Sequence, residues 1–196
     1  MNILACDPGP ERTGWCELHD GVIGPHGWDA NDEVLLVLRN GMTELFVIES
    51  PQAQDRPLGP ALRNTIWWTG RYIEALDSRG ETWREVEERE IACWLTGSSS
   101  PDNSAIKQEL KNIFGDKRQV VCTACEGTGQ IPGKRGQRSC PTCAGKKFKT
   151  VPGPLNGMNE HELSALAVAF VVQKQADIEA QRSEFKRVLT TNPESE

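Results

Sequence analysis

An apolar run, Ile3-Leu4-Ala5-Cys6, ends on a single acidic residue, Asp7, and Pro8-Gly9 turns the chain at once, with Pro10 just beyond. A short apolar run bounded by turn signals reads as a buried central strand. Asp7 therefore stands where a buried strand gives way to a loop, the edge at which open α/β sheets bind ligands. A carboxylate there needs a cation, a hydrogen-bond cradle or water, because burying it alone is costly. A turn-capping aspartate is the plainer alternative. A second run shifts the balance: Leu45-Phe46-Val47-Ile48 ends on Glu49, and Ser50-Pro51 stops it. Two strands that each end in an acid bring two carboxylates to one sheet edge. These are the hard oxygen donors that magnesium-type cations take.

The elements around these strands follow in order. Gly14 to Leu18 alternates as a second strand, close enough to the first to pair with it antiparallel. After the His19-Asp20-Gly21 turn, Val22-Ile23 starts a third strand that Pro25 breaks. Asn31 to Leu38 reads as a helix capped by Asn31 or Asp32, with Val34, Leu35, Leu36 and Leu38 on its apolar side. Pro51 to Pro60 is a loop. Ala61 to Leu76 is helical, with Leu62, Ile66, Tyr72 and Ile73 near helical spacing and Trp67-Trp68 in the middle. Thr82 to Val86 is a short strand. Glu88 to Leu95 is a helix closed by Thr96-Gly97, and Ser98 to Ser100 a polar loop. Pro101 to Phe114 is a helix with Lys107 and Lys111 on one face. The expected fold class is α/β, a mixed sheet with an antiparallel start and parallel later strands, flanked by helices.

The chain has 196 residues, room for one ordinary domain and a small accessory. No apolar stretch approaches the roughly 18 residues of a membrane span, and no signal peptide opens the chain, so a reducing cytoplasm is expected. The net charge of −6 argues against nucleic acid, but its distribution argues for it. Residues 117–149 hold eight basic side chains and one acid, Glu126, on an otherwise acidic chain.

Four of the seven cysteines form a pattern: Cys122-Thr-Ala-Cys125 and Cys140-Pro-Thr-Cys143. Two CxxC knuckles complete a tetrahedral thiolate site for one structural zinc. Two disulfides are the rival reading, and a reducing compartment disfavours them. Catalytic zinc does not fit, because four thiolates leave no open position. Residues 117–150 have little to bury beyond Val120, Val121, Ile131 and Phe148, so a piece this small needs a staple. Cys6, Cys16 and Cys93 are expected to be inert core thiols. Cys122 to Gly129 resembles the CxxCxGxG knuckle of DnaJ-type chaperones. That likeness covers only the insert, and no J-domain is visible.

Near the end of the chain, Asn159 caps a helix, and Glu162 three residues later completes a capping box. His161-Glu162-Leu163-Ser164-Ala165-Leu166-Ala167-Val168-Ala169-Phe170 then turns almost wholly apolar and buried. Beyond Gln173 the helix becomes charged and runs into solvent towards Val188, with a frayed tail from Thr190.

The D-P-G strand end, the Gly-aromatic second strand, the I-E strand end and a final helix of the form H-x-x-x-A-L-A-V-A together resemble the RuvC-type Holliday-junction resolvases, of the RNase H-like and retroviral integrase superfamily. Glu85 to Gly97 is similar to that family's segment before its DNA-contacting loop. The resemblance covers roughly 1–114 and 156–188, leaving the zinc module as an insertion at 117–150 between two parts of a nuclease core, 1–116 and 151–196. It implies an RNase H-like fold and a crossover-junction endodeoxyribonuclease that hydrolyses DNA with two Mg²⁺ or Mn²⁺ ions, leaving 5′-phosphate and 3′-hydroxyl ends. Branched DNA is the implied partner, a two-fold homodimer the implied assembly, and a bacterial or phage-infected cell the implied setting. Asp7, Glu49 and His161 match the first three metal-binding and catalytic positions.

The fourth matching position, an Asp in the family, is Ser164 here, and a hydroxyl is a poorer magnesium ligand. Glu160 lies about 40° from Ser164 around the helix axis, one turn earlier, and is the favoured substitute, with water held through Ser164 as second choice. A favourable charge at the helix N-terminus is the plainer reading of Glu160. Candidate DNA-binding cations are Arg56, Arg63, Lys107, Lys111, Lys134, Arg135, Arg138, Lys146 and Lys147. Three alternatives stay open: a less selective branched-DNA nuclease, a non-catalytic DNA-binding protein that has lost its fourth acid, and a zinc-linked interaction module.

Overall fold

The protein, seen here as a computed structural model, is described at all residues except 53–57, 99–102, 116, 134–135 and 192–196, and without the side chains of 118 and 188–191. Five strands form the main sheet: β1 (Asn2–Asp7), β2 (Arg12–His19), β3 (Val22–Ala30), β4 (Leu45–Ser50) and β5 (Trp83–Glu87). Their order is β3-β2-β1-β4-β5. β1–β2 and β2–β3 pair antiparallel, while β1–β4 and β4–β5 pair parallel. This is the mixed sheet expected, antiparallel first and parallel later.

Strand alternation decides which residues face which helix. Leu4, Cys6, Phe46 and Ile48 pack with Val34, Leu35 and Leu38 of α1 (Asn31–Asn40) and with Tyr72, Ala75 and Leu76 of α2 (Pro60–Arg79). The intervening residues Ile3, Ala5 and Val47, and with them Asp7 and Glu49, therefore face the other side. There α5 (Glu160–Thr191) packs on β1, β2 and β4. Leu163 and Ala165 to Val172 of α5 are buried. At about 1.5–3 kcal/mol for each large side chain fully buried, this apolar stretch seats the polar first turn of α5 over the strand ends.

The structure corrects several local expectations. β3 runs through Pro25, which sits at a register shift opposite Glu17 on an edge strand, where a missing N–H does no harm. Neither Asn31 nor Asp32 caps α1: the cap residue is Ala30, whose N–H is accepted by Glu33 Oε2 at 3.2 Å. Asn31 is instead buried, accepting from Thr13 Oγ1 at 2.7 Å and donating to the Gly9 carbonyl at 3.1 Å, so it ties the turn after Asp7 to α1. Leu36 and Ile66 face solvent. The buried face of α2 is Thr65, Thr69, Tyr72, Ala75 and Leu76, offset from the apolar positions the sequence suggested. Cys93 is exposed on α3 (Glu88–Thr96), whereas Cys6 and Cys16 are buried as expected. Burial pushes the Cys16 thiol up to about 12 and Cys6 higher still.

α4 runs from Asn103 to Phe114, and the expected start at Pro101 lies outside the described residues. The described chain divides into two compact units: Met1–Lys107 with Met158–Glu196, and Gln108–Gly157. The smaller unit holds two antiparallel pairs, β6 (Lys117–Val121) with β9 (Phe148–Pro152) and β7 (Gln130–Gly133) with β8 (Gly136–Ser139). The expected fraying from Thr190 falls where side chains are not described. No described helix is long and apolar enough to cross a membrane.

Candidate metal centres

Asp7, the last residue of β1, and Glu49, the last but one of β4, each stand one step beyond the Cys6–Ile48 pair of these adjacent parallel strands. The first turn of α5 meets them. His161 Nδ1 lies 2.9 Å from Asp7 Oδ2, and Ser164 Oγ donates to Glu49 Oε2 at 2.7 Å. The one-turn spacing of His161 and Ser164 thus delivers one side chain to each carboxylate, and leaves each acid a second oxygen.

Register explains how the helix comes so close. Asp7 pairs with Gly14, and Gly14 pairs with Trp28, so the three form one row across β1, β2 and β3. His161 rests on this row, and a Cβ at Gly14 would run into its backbone carbonyl. One row further along, Ala5, Cys16 and His26 are aligned, and Glu162 stands over them with Oε1 at 2.8 Å from His26 Nδ1. The capping box is complete: the Asn159 N–H donates to Glu162 Oε2 at 2.7 Å, and Asn159 Oδ1 accepts from the N–H groups of Glu162 and His161 at 3.0 and 2.9 Å. Glu162 thereby holds the helix start on both sides.

The electrostatics suit a cation. Burial pushes the Glu49 carboxyl up to about 8, and the charges of Asp7 and Glu88 add to the shift. The Ser164 hydroxyl, and then His161, oppose it. His161 is raised from its ordinary value, first by its bond to Asp7 and further by the Asp7, Glu160 and Glu49 charges. A desolvated carboxylate beside another carboxylate is a donor set that a divalent cation relieves. Glu160, first residue of α5, is exposed and acts on His161 through its charge alone. Glu88, which opens α3 straight after β5, was passed over in the sequence. Its signal was a strand that ends in acids, Val86-Glu87-Glu88, although without the apolar run that precedes Asp7 and Glu49.

In the smaller unit the four cysteine sulfurs lie within 4.8 Å of one another, the only such cluster of possible metal ligands among the described residues. Cys122 Sγ is 3.8 Å from Cys140 Sγ, and Cys125 Sγ 3.7 Å from Cys143 Sγ. Ligands about 2.3 Å from a tetrahedral zinc are separated by about 3.8 Å, so the spacing fits zinc and is far too long for disulfides. The two knuckles repeat each other. Gly127 N–H bonds the Cys122 carbonyl at 3.2 Å, as Gly145 N–H bonds Cys140. Glu126 and Ala144 share φ near 48°, and Gly127 and Gly145 share φ near 78°. Gly129 is matched by Lys147, which adopts φ 71°, a left-handed conformation unusual for a lysine. The N–H of Cys143 is the largest influence bringing the Cys140 thiol down to about 7, towards the thiolate that binds metal.

Six of the cations singled out in the sequence lie among the described residues. Arg63 lies exposed on α2, Lys107 exposed and Lys111 half-buried on α4, Arg138 exposed on β8, and Lys146 and Lys147 exposed after the second knuckle. Arg56, Lys134 and Arg135 lie outside the described residues.

No protein-family model matches the chain, and no curated protein matches its sequence. Solved structures do. A Thermus thermophilus RuvC structure superposes with a TM-score of 0.59 at 15% identity, covering 91% of this chain and 97% of that one. The T. thermophilus RuvC in complex with Holliday junction substrate gives 0.59 at 14% identity, covering 91% and 96%. The chain therefore has the RuvC-like fold.

Proposed function

We propose that this protein is a metal-dependent, structure-selective DNA endonuclease whose preferred substrate is a four-way junction. The observation that carries the reading is that the first turn of α5 reaches two acids at one edge of the RuvC-like sheet, His161 against Asp7 and Ser164 against Glu49, with Glu49 desolvated near a second carboxylate. The solved neighbour's complex with a Holliday junction supports the choice of substrate. Asp7, Glu49 and His161 would hold Mg²⁺ or Mn²⁺, with Glu160 as the fourth contributor. Bound there, such ions activate water and stabilise the leaving oxygen of a phosphodiester. The chain's own part is to keep the two acids parallel on rigid strands, to fix His161 against Asp7, and to orient Glu49 through Ser164. The four cysteines would hold one structural zinc, the basic side chains around them would meet DNA phosphates, and a two-fold homodimer would cut both strands symmetrically.

Cutting of a labelled four-way junction with and without Mg²⁺ or Mn²⁺ tests the reading. Absence of metal-dependent cutting would leave the non-catalytic DNA-binding alternative, which the hydroxyl of Ser164 at the fourth position favours. Equal cutting of flaps and junctions would favour the less selective nuclease.

The fourth position carries its own prediction. Glu160→Gln is expected to slow junction cutting at least ~100-fold, the scale of one lost electrostatic contributor. Ser164→Ala should be mild, since it removes only an orienting bond. Glu88→Gln serves as the comparison. If Glu88→Gln stops cutting and Glu160→Gln does not, the end of β5 supplies the fourth acid.

A further inference from the structure

We infer that Trp28, backed by Arg12, is a positioning residue that fixes the ring of His161 for cation binding; this rests on the proposed metal-dependent nuclease reading. The ring planes of Trp28 and His161 are 7° apart with centroids 5.9 Å from each other, an offset stack. The Arg12 guanidinium lies 4.4 Å from the Trp28 ring centroid, and Arg12 Nη2 donates to the Trp28 carbonyl at 2.5 Å. Trp28 is held through its backbone as well, in register opposite Gly14, which is in register opposite Asp7. His161 therefore meets Asp7 with one edge of its ring and Trp28 with its face.

These two contacts do different work. The Nδ1 contact to Asp7 Oδ2 uses atoms that a cation would also want, so it must loosen or be shared when metal arrives. The stack uses the ring face and no nitrogen, so it survives that change. It sets the ring plane, and with it the direction of both nitrogens, before and after binding. The imidazole needs such a wall because its side chain is 45% exposed and nothing else in the row can supply one, Gly14 having no side chain. Residues that orient a metal-binding imidazole from outside matter to affinity even though they never touch the ion.

The test uses the full-length protein and Mn²⁺ as probe. Trp28→Ala is expected to weaken Mn²⁺ binding, read by electron paramagnetic resonance, by about 10-fold. It should lower kcat for junction cutting with little change in KM. Trp28→Phe, which keeps a ring face, should restore most of both. In NMR spectra the His161 ring protons should lose their ring-current shift in Trp28→Ala and keep part of it in Trp28→Phe. Trp28 is 41% exposed on an edge strand, so the fold tolerates the change, and the phenylalanine variant covers the case in which it does not. Unchanged Mn²⁺ affinity in Trp28→Ala, while Asp7→Asn abolishes it, overturns this inference and leaves the metal site standing. Unchanged affinity in Asp7→Asn as well overturns both. A loss in KM alone, equal in Ala and Phe variants, would make Trp28 a substrate contact instead.

Discussion

Asp7→Asn and Glu49→Gln are each expected to abolish metal-dependent junction cutting while junction binding persists. The amides keep shape and hydrogen bonding but lose the charge that holds a divalent cation. Glu49 adds a pH signature. Its carboxyl is pushed up to about 8 in the fold, first by burial and then by Asp7. The folded chain therefore holds a proton that the unfolded chain releases at ordinary carboxylate pKa, and this group's contribution to stability falls as pH rises from about 4.5 to about 8. Glu49→Gln, which cannot ionise, should be more thermostable than the wild type at pH 9 without cation, with the gap closing towards pH 4. Mg²⁺ should raise the wild-type Tm at pH 9 and leave the glutamine variant unmoved. Below about pH 8 a cation must displace that proton, so Mn²⁺ affinity should climb with pH and level off above it. Mg²⁺-dependent cutting retained by either variant would remove the metal-site argument.

How much of this could be read from residues alone depends on the range of the interaction. The strand ends at Asp7 and Glu49 were legible because an apolar run, an acid and a Pro/Gly turn are all local signals. The capping box at Asn159 and Glu162 was legible for the same reason, as was the zinc pattern, where four residues at fixed spacing carry the chemistry. What the sequence hid was set by register. Trp28 lies two strands away from Asp7, and only the Asp7–Gly14–Trp28 row shows that both flank His161. Glu162 reads as a cap, yet it also pairs with His26, 136 residues away. Ser164 was expected at most to hold a water where an acid belongs, and its hydroxyl donates to Glu49. Pro25 misled because a proline breaks a central strand but not an edge strand at a bulge, and edge status is a property of the whole sheet. Asn31 misled because its amide found better partners in Thr13 and Gly9 than in its own helix.

Cys122→Ser is expected to release one zinc per chain and to unfold the unit from Gln108 to Gly157 while the sheet unit keeps its structure. Among its described residues the smaller unit gathers its one apolar cluster around the cysteines. Its buried cluster is the four cysteines with Ile131 against them, and its strands form two separate two-stranded pairs. A lone two-stranded hairpin is marginal in water, so the metal is folding free energy, on the order of 10 kcal/mol for sites of this kind. Zinc retention should weaken as pH falls, because each thiolate that releases the metal takes up a proton. The measurement pairs metal content with the salt dependence of junction affinity. If Arg138, Lys146 and Lys147 meet phosphates, the variant binds more weakly and its log–log salt slope flattens by nearly one for each lost contact. Zinc lost with affinity and slope both unchanged would mean that the basic module never touches DNA. Its eight basic side chains would then belong to a contact with protein, either an acidic partner or the second copy of a dimer.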